Sequence, residues 1–177
     1  MAVALLALGA LAMGLLLHSL WVLSFTGVPV HPSRPEAVQA AFELLALKDG
    51  ERFADLGCGF GNVVRQARRE ADVECTGYEL NPFGYLGSFV RAGGRVRVRW
   101  GDFRRADLKG YDAIYLYMMP RFLEKNSAWL EGAFREGARV VAIDFPIPGW
   151  RPREVREVGP LRQPIRLYVV GQHREEA

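Results

Sequence analysis

Lysine is scarce in this chain: Lys48, Lys109 and Lys125 are the only three among 177 residues, against a Lys+Arg total of 23. No Lys or Arg precedes Arg34. Cysteine is scarcer still. Cys58 and Cys75 form no C-x-x-C pair and no metal-ligand cluster, which argues against a disulfide scaffold and a zinc module. Both read as reduced thiols, Cys75 in a strand and Cys58 in a loop, and no metal is expected. No internal repeat is present, so a solenoid is excluded. The net charge of +3 is a mild basic bias. At this length one globular domain is the natural expectation.

What is present begins with an apolar run. Val3 to Phe25 is broken only by His18, Ser19 and Ser24. As a helix it would extend about 35 Å at ~1.5 Å per residue, enough for a hydrocarbon core of roughly 30 Å. A cleaved signal peptide needs a basic n-region and a short apolar core, and the run has neither. Residues 1–26 therefore read as a retained single-pass membrane anchor. Trp21 and Phe25 suit the bilayer interface, and His18 sits near it. The first basic side chains follow the run, which puts the larger part in the cytoplasm. Residues 27–35, with Gly27, Pro29, Pro32 and Pro35, read as an irregular linker. Ser33 and Glu36 form a predicted capping box for a helix reaching about Leu47. Residues 36–177 form the domain.

The domain is organised around Arg52–Asn62. Phe53, Ala54 and Leu56 make a short buried strand, and Gly57, Gly59 and Gly61 make a tight turn into a helix. The helix N-terminus favours an anion. The spacing is G-x-G-x-G, not the G-x-G-x-x-G of dinucleotide sites. Asp55, two residues before the first glycine, suits a ligand with positive charge beside its anionic end. S-adenosylmethionine has such an end, and Asp55-x-Gly57-x-Gly59-x-Gly61 is similar to motif I of class I methyltransferases.

Strands and helices then alternate, which predicts a parallel sheet covered on both faces. Strands are expected at Val73–Leu80, Arg95–Trp100, Tyr111–Tyr117 and Arg139–Phe145. Helices are expected over Asn81 to about Ala92 and Pro120 to about Arg135. Two last strands, near Val155–Val158 and Ile165–Gly171, are close enough for an antiparallel hairpin. The fold class is α/β: a Rossmann-like, seven-stranded class I methyltransferase sheet behind an N-terminal transmembrane helix.

Strand ends carry the candidate site. Glu79, with Leu80, can accept from ribose hydroxyls, or it is a solvated strand end. Asp102 can accept from an adenine amine with Phe103 on the ring, or it is an ordinary turn. Cys58 lies in the cofactor loop. Tyr117 and Met118 face the transferred methyl, where they could position an attacking nitrogen or simply pack. Asp144, Phe145, Pro146 and Trp150 form a substrate rim. Arg91, Arg95, Arg97, Arg99, Arg104 and Arg105 could meet anionic headgroups or RNA, or form a solvated edge. Aromatic interleaving is thin, so nucleic acid is not the expected partner.

Four segments occur in order: Gly27-Val28-Pro29-Val30, Asp55-Leu56-Gly57-Cys58-Gly59, Gly77-Tyr78-Glu79-Leu80-Asn81-Pro82 and Phe145-Pro146-Ile147-Pro148-Gly149-Trp150. On these the chain resembles, as a prokaryotic-type member, the small membrane-anchored lysine methyltransferases whose animal members modify the ATP synthase and the adenine nucleotide translocase. The resemblance implies methyl-donor contacts at Asp55, Gly57, Gly59 and Glu79, and a lysine of a membrane protein as acceptor. Cys58 and Phe60 depart from the small or polar residues expected in the loop. The rival functions are a small-molecule, lipid or RNA methyltransferase with the same cofactor, and a non-catalytic, membrane-tethered cofactor-binding module.

Overall fold

The computed structural model describes residues 2–26, 33–93 and 96–173. Seven strands form one sheet: β1 (Arg52–Leu56), β2 (Glu74–Glu79), β3 (Val96–Trp100), β4 (Ala113–Leu116), β5 (Arg139–Ile143), β6 (Glu154–Val158) and β7 (Gln163–Val169). Their order is β3-β2-β1-β4-β5-β7-β6. The first five run parallel, and β7 is antiparallel to both β5 and β6. The expected sheet with its C-terminal hairpin is therefore present. The direction of winding reverses between β1 and β4, and such a switch point opens a crevice at the carboxyl ends of the strands.

Six helices accompany the sheet among the described residues: α1 (Ala2–Thr26), α2 (Pro35–Leu45), α3 (Asn62–Glu70), α4 (Pro82–Arg91), α5 (Pro120–Lys125) and α6 (Ser127–Ala133). Successive strand residues point to opposite faces, and the core divides accordingly. Phe53, Tyr115 and Val141 join Phe42 and Leu45 of α2 and Val64 of α3 in one layer. Ala54, Ile114 and Val140 join Leu123 of α5 and Leu130 of α6 in the other.

Three expectations are corrected. Ser33 does not cap α2. Pro35 occupies the first turn, Arg34 is the N-cap at φ −67° and ψ 143°, and no side chain bonds there. A residue before proline is driven to extended backbone, so the helix starts too late for a Ser33–Glu36 box. Ser33 Oγ instead accepts a hydrogen bond from Tyr115 Oη at 2.8 Å. Of the linker expected over 27–35, residues 27–32 lie outside the described residues, and Pro35 belongs to α2. The single helix predicted from Pro120 is two, interrupted at Asn126 with φ −115° and ψ 15°. There Asn126 Nδ2 donates to the Phe122 carbonyl at 2.7 Å, and Oδ1 accepts from Arg104 at 3.0 Å.

Helix α1 exposes Val3, Leu5, Leu6, Leu8, Leu11, Leu16, Leu17 and Leu20. It meets the domain where the His18 ring stands edge-on to Trp100, centroids 6.3 Å apart at 80°. Among the described residues no helix is long and apolar enough to cross a membrane. The side chains of Trp21 and Phe25, the segment 27–30 and Arg95 lie outside the described residues.

Candidate active site

Strand β1 delivers Asp55 to the crevice. Its side chain is 3% exposed, and Oδ2 has no hydrogen-bond partner. Burial, and after it the charge of Glu79, pushes its pKa up to about 8. A buried carboxyl oxygen left unbonded is costly, so this atom is set for a cationic donor.

The loop after β1 is held by its own chain. Gly57, Gly59 and Gly61 have φ of 88°, 52° and 75°, the left-handed region that glycine enters freely. The Gly57 and Cys58 amides both donate to the Tyr78 carbonyl at 2.9 Å, and the Gly61 amide donates to the Cys58 carbonyl at 2.8 Å. The Gly59 amide donates to Glu79 Oε2 at 2.7 Å. The anion expected at this turn is thus, in part, the protein's own Glu79. The turn folds back on β2, which takes up three loop amides, those of Gly57, Cys58 and Gly59.

Glu79 closes β2 and is 9% exposed. Its Oε1 accepts from the Asn81 amide at 2.7 Å. Burial raises its pKa, against the lowering effect of these backbone bonds. Both oxygens are engaged with the backbone, so the expected ribose contact requires sharing them or releasing a bond. Asn81 caps α4, with Oδ1 accepting from the amides of Phe83 and Gly84. The Leu80 carbonyl accepts from Trp100 Nε1 at 3.1 Å.

Small residues make room around the loop. A Cβ at Gly57 would come within 2.8 Å of Met118 Cε, so Met118 lies directly against the glycine. A Cβ at Gly77 would come within 2.6 Å of Cys58 Sγ. Cys58 is buried, and burial followed by the charges of Asp55 and Glu79 pushes its thiol pKa far up. It is a packing thiol, not a nucleophile.

Asp102 is not free for adenine. The Arg104 guanidinium grips it, Nη2 to Oδ2 at 2.6 Å and Nε to Oδ1 at 3.0 Å, and the Arg104 amide donates to Oδ1 at 2.9 Å. Burial works to raise its pKa, but the bonds from Arg104 outweigh that and lower it. Phe103 is 8% exposed and packs on Phe122 and Trp129, so its ring is spent in the core. A short 3-10 turn at Phe103–Arg105 folds the chain inward there.

Tyr117 follows β4 and donates from Oη to Asp144 Oδ2 at 2.7 Å. Burial, this bond and the Asp144 charge push its pKa up to about 12. Asp144 follows β5 with φ 64°, an uncommon conformation that the surroundings must hold. Phe145 is partly buried and Pro146 exposed. Trp150 is not at the rim. It is 5% exposed and stacks on His173 at 3.7 Å, because the turn at Gly149, φ 77°, folds it back over the sheet.

The sequence reading missed Gln163 and Arg166, and took Gly77 only as part of a motif, with no role of its own. A glycine inside a strand marks a close approach, so Gly77 carried a signal. Gln163 and Arg166 carried none; they reach Asp144 only because β7 returns beside β5. A groove of about 510 Å³ lined by Pro35, Glu36, Gln39, Glu43, Gln66 and Arg156 lies along α2. It contains none of the strand-end carboxylates.

Residues 55–154 match the family model described as the ANTKMT methyltransferase domain. The chain is 28% identical over 155 residues to the Protein-lysine N-methyltransferase of Saccharolobus islandicus, covering 83% of this chain and 96% of that one. It is also 28% identical over 130 residues to a Mus musculus lysine N-methyltransferase named for the ATP synthase. That match covers 71% of this chain, and the chain spans only 52% of the mouse protein. Among solved structures, an RNA methyltransferase from Salinibacter ruber in complex with S-adenosyl-L-homocysteine superposes with a TM-score of 0.74 at 24% identity, over 83% of this chain and 96% of that one. At that identity the likeness concerns the fold.

Proposed function

Given that the chain belongs to the ANTKMT methyltransferase domain family and is an S-adenosylmethionine-dependent methyltransferase, we propose that its acceptor is a protein lysine carried by a membrane protein. The observation that carries the lysine reading is the similarity to a named protein-lysine N-methyltransferase across 96% of that protein's length.

The residues fit the cofactor. The unpartnered, buried Oδ2 of Asp55 suits an ammonium group, and its pKa falls back as the two charges pair. Glu79 would hold the ribose while keeping the loop in register. Gly57, with no Cβ, and Met118 beside it would form the wall against which the donor lies. Leu80, Gly59, Gly61 and Cys58 would line the loop side. Asp102 and Phe103 act one step back, shaping the third strand's end through Arg104 and the aromatic core. When bound, S-adenosylmethionine supplies the methyl group and a sulfur leaving group. The chain's own work is alignment, an effect worth up to roughly 7–11 kcal/mol, and drying of the acceptor amine, which favours its neutral form.

The membrane part of the proposal rests on α1, which has no acidic residue in its first turn and no basic one in its last. Its exposed leucines would meet the bilayer with the domain on the cytoplasmic side, while no described helix is by itself long and apolar enough to cross. The deciding test is radiolabelled methyl donor incubated with the full-length protein and membranes. Label on protein lysine is expected. Label on lipid, on RNA or nowhere would replace the reading with one of its rivals.

A further inference from the structure

Asp144 is held at every polar group of its backbone and at its side chain. Its amide donates to the Pro164 carbonyl at 2.9 Å, and its carbonyl accepts from Arg166 at 2.7 Å. Its Oδ2 accepts from Tyr117 Oη at 2.7 Å and from Gln163 Nε2 at 3.0 Å. Those bonds keep a non-glycine residue at φ 64°, and backbone strain of this kind clusters at functional sites. Gln163 adds an independent observation. It is 8% exposed, and its Oε1 is buried with no hydrogen-bond partner. Turning the amide over would not help, since Oε1 would then face the Asp144 carboxylate. The site is one strand from the cofactor crevice: Tyr115, two residues before Tyr117, pairs in register with Asp55.

We propose that Gln163 Oε1 and the Asp144 carboxylate, braced by Tyr117, receive the two N–H groups of the acceptor lysine's amine. This rests on the lysine reading above and assigns Gln163 a binding role. A neutral primary amine has two N–H donors and one lone pair. Two acceptors in fixed positions take both donors and leave the lone pair free to attack. Each methyl added removes one donor, so the site holds the unmodified amine best.

The test uses the full-length protein in detergent, loaded with S-adenosylhomocysteine, at pH 9. The probes are n-butylamine, a lysine side chain cut at Cβ, and N,N-dimethylbutylamine. Binding is followed by calorimetry and by the Gln163 carboxamide resonances in NMR. Saturable n-butylamine binding that shifts those resonances, and weaker binding of the dimethyl form, are expected. Gln163→Met should weaken n-butylamine about 5- to 100-fold with homocysteine-product affinity and Tm retained. No saturable amine binding, or wild-type affinity in Gln163→Met, overturns the proposal. Amine binding is read independently of where methyl label lands, so label on lipid or RNA defeats the lysine reading without touching this result.

Discussion

Glu79 accepts the Gly59 amide across 2.7 Å, so the acid that ends the second strand also fastens the loop that follows the first. The two strands are neighbours in the sheet, and this bond ties their outer ends together. One carboxylate therefore sets the shape of the cofactor site and takes part in it.

Glu79→Ala should release the loop and weaken S-adenosylmethionine binding by about 1–3 kcal/mol, as when a buried donor loses its partner. Glu79→Gln keeps an acceptor oxygen and should lose less. Calorimetry with the methyl donor measures both. Equal affinity in wild type and Glu79→Ala would mean that the donor does not use this loop.

Asp55 gives a pH dependence. Its folded pKa, about 8, lies above the ordinary 3.8 because of burial and then Glu79. The folded state therefore binds a proton that the unfolded chain has released, and stability falls as pH rises between these values. This contribution is full below pH ~4 and gone above pH ~8. Asp55→Asn should flatten the slope of Tm against pH over that window relative to wild type. Donor affinity should move the opposite way and strengthen toward pH 8, because the ionised carboxylate is the partner of the ammonium.

Much of this was legible in the sequence, for reasons that differ by residue. Phe53, Ala54 and Leu56 are buried and β-forming, and glycines end their run, so strand and turn were local properties. The parallel sheet covered on both faces followed from alternation. What escaped were contacts made by tertiary return. Asp102 read as an open acid because Arg104 was taken as one of a basic run. Trp150 read as rim because its turn back onto His173 spans the last strand pair. Gln163 lay in a tail whose partner, β5, was twenty residues upstream. The break at Asn126 was hidden because Asn is tolerated in helices, and only the fold brings Arg104 to its Oδ1 while its Nδ2 turns to the Phe122 carbonyl.

Ser33 and Tyr115 offer a stability test far from the loop. Tyr115 is 1% exposed, and its hydroxyl donates to Ser33 Oγ at 2.8 Å. Ser33→Ala should cost about 1–3 kcal/mol by leaving that hydroxyl buried and unpaired, while Ser33→Ala with Tyr115→Phe should cost less than the sum of the two. Urea unfolding of the four proteins in the cycle measures the coupling. Additive losses would show that the bond contributes nothing.

Deleting residues 1–26 should leave donor affinity intact and sharply lower methylation of membrane proteins, because a tethered site meets embedded lysines at a raised effective concentration. Labelled donor with membranes, full-length against truncated, reads it. Equal labelling rates would reduce α1 to an address.

The meeting of His18 with Trp100 constrains how deep such a protein can sit. With that contact kept, the helix ahead of His18 runs from Ala2 to Leu17, about 24 Å at ~1.5 Å per residue. That is short of a hydrocarbon core of roughly 30 Å. A crossing helix must then draw its docked corner down with it. The side chains at that corner, Phe89, Val90 and Trp100, are 56%, 75% and 59% exposed. They would then lie among the headgroups.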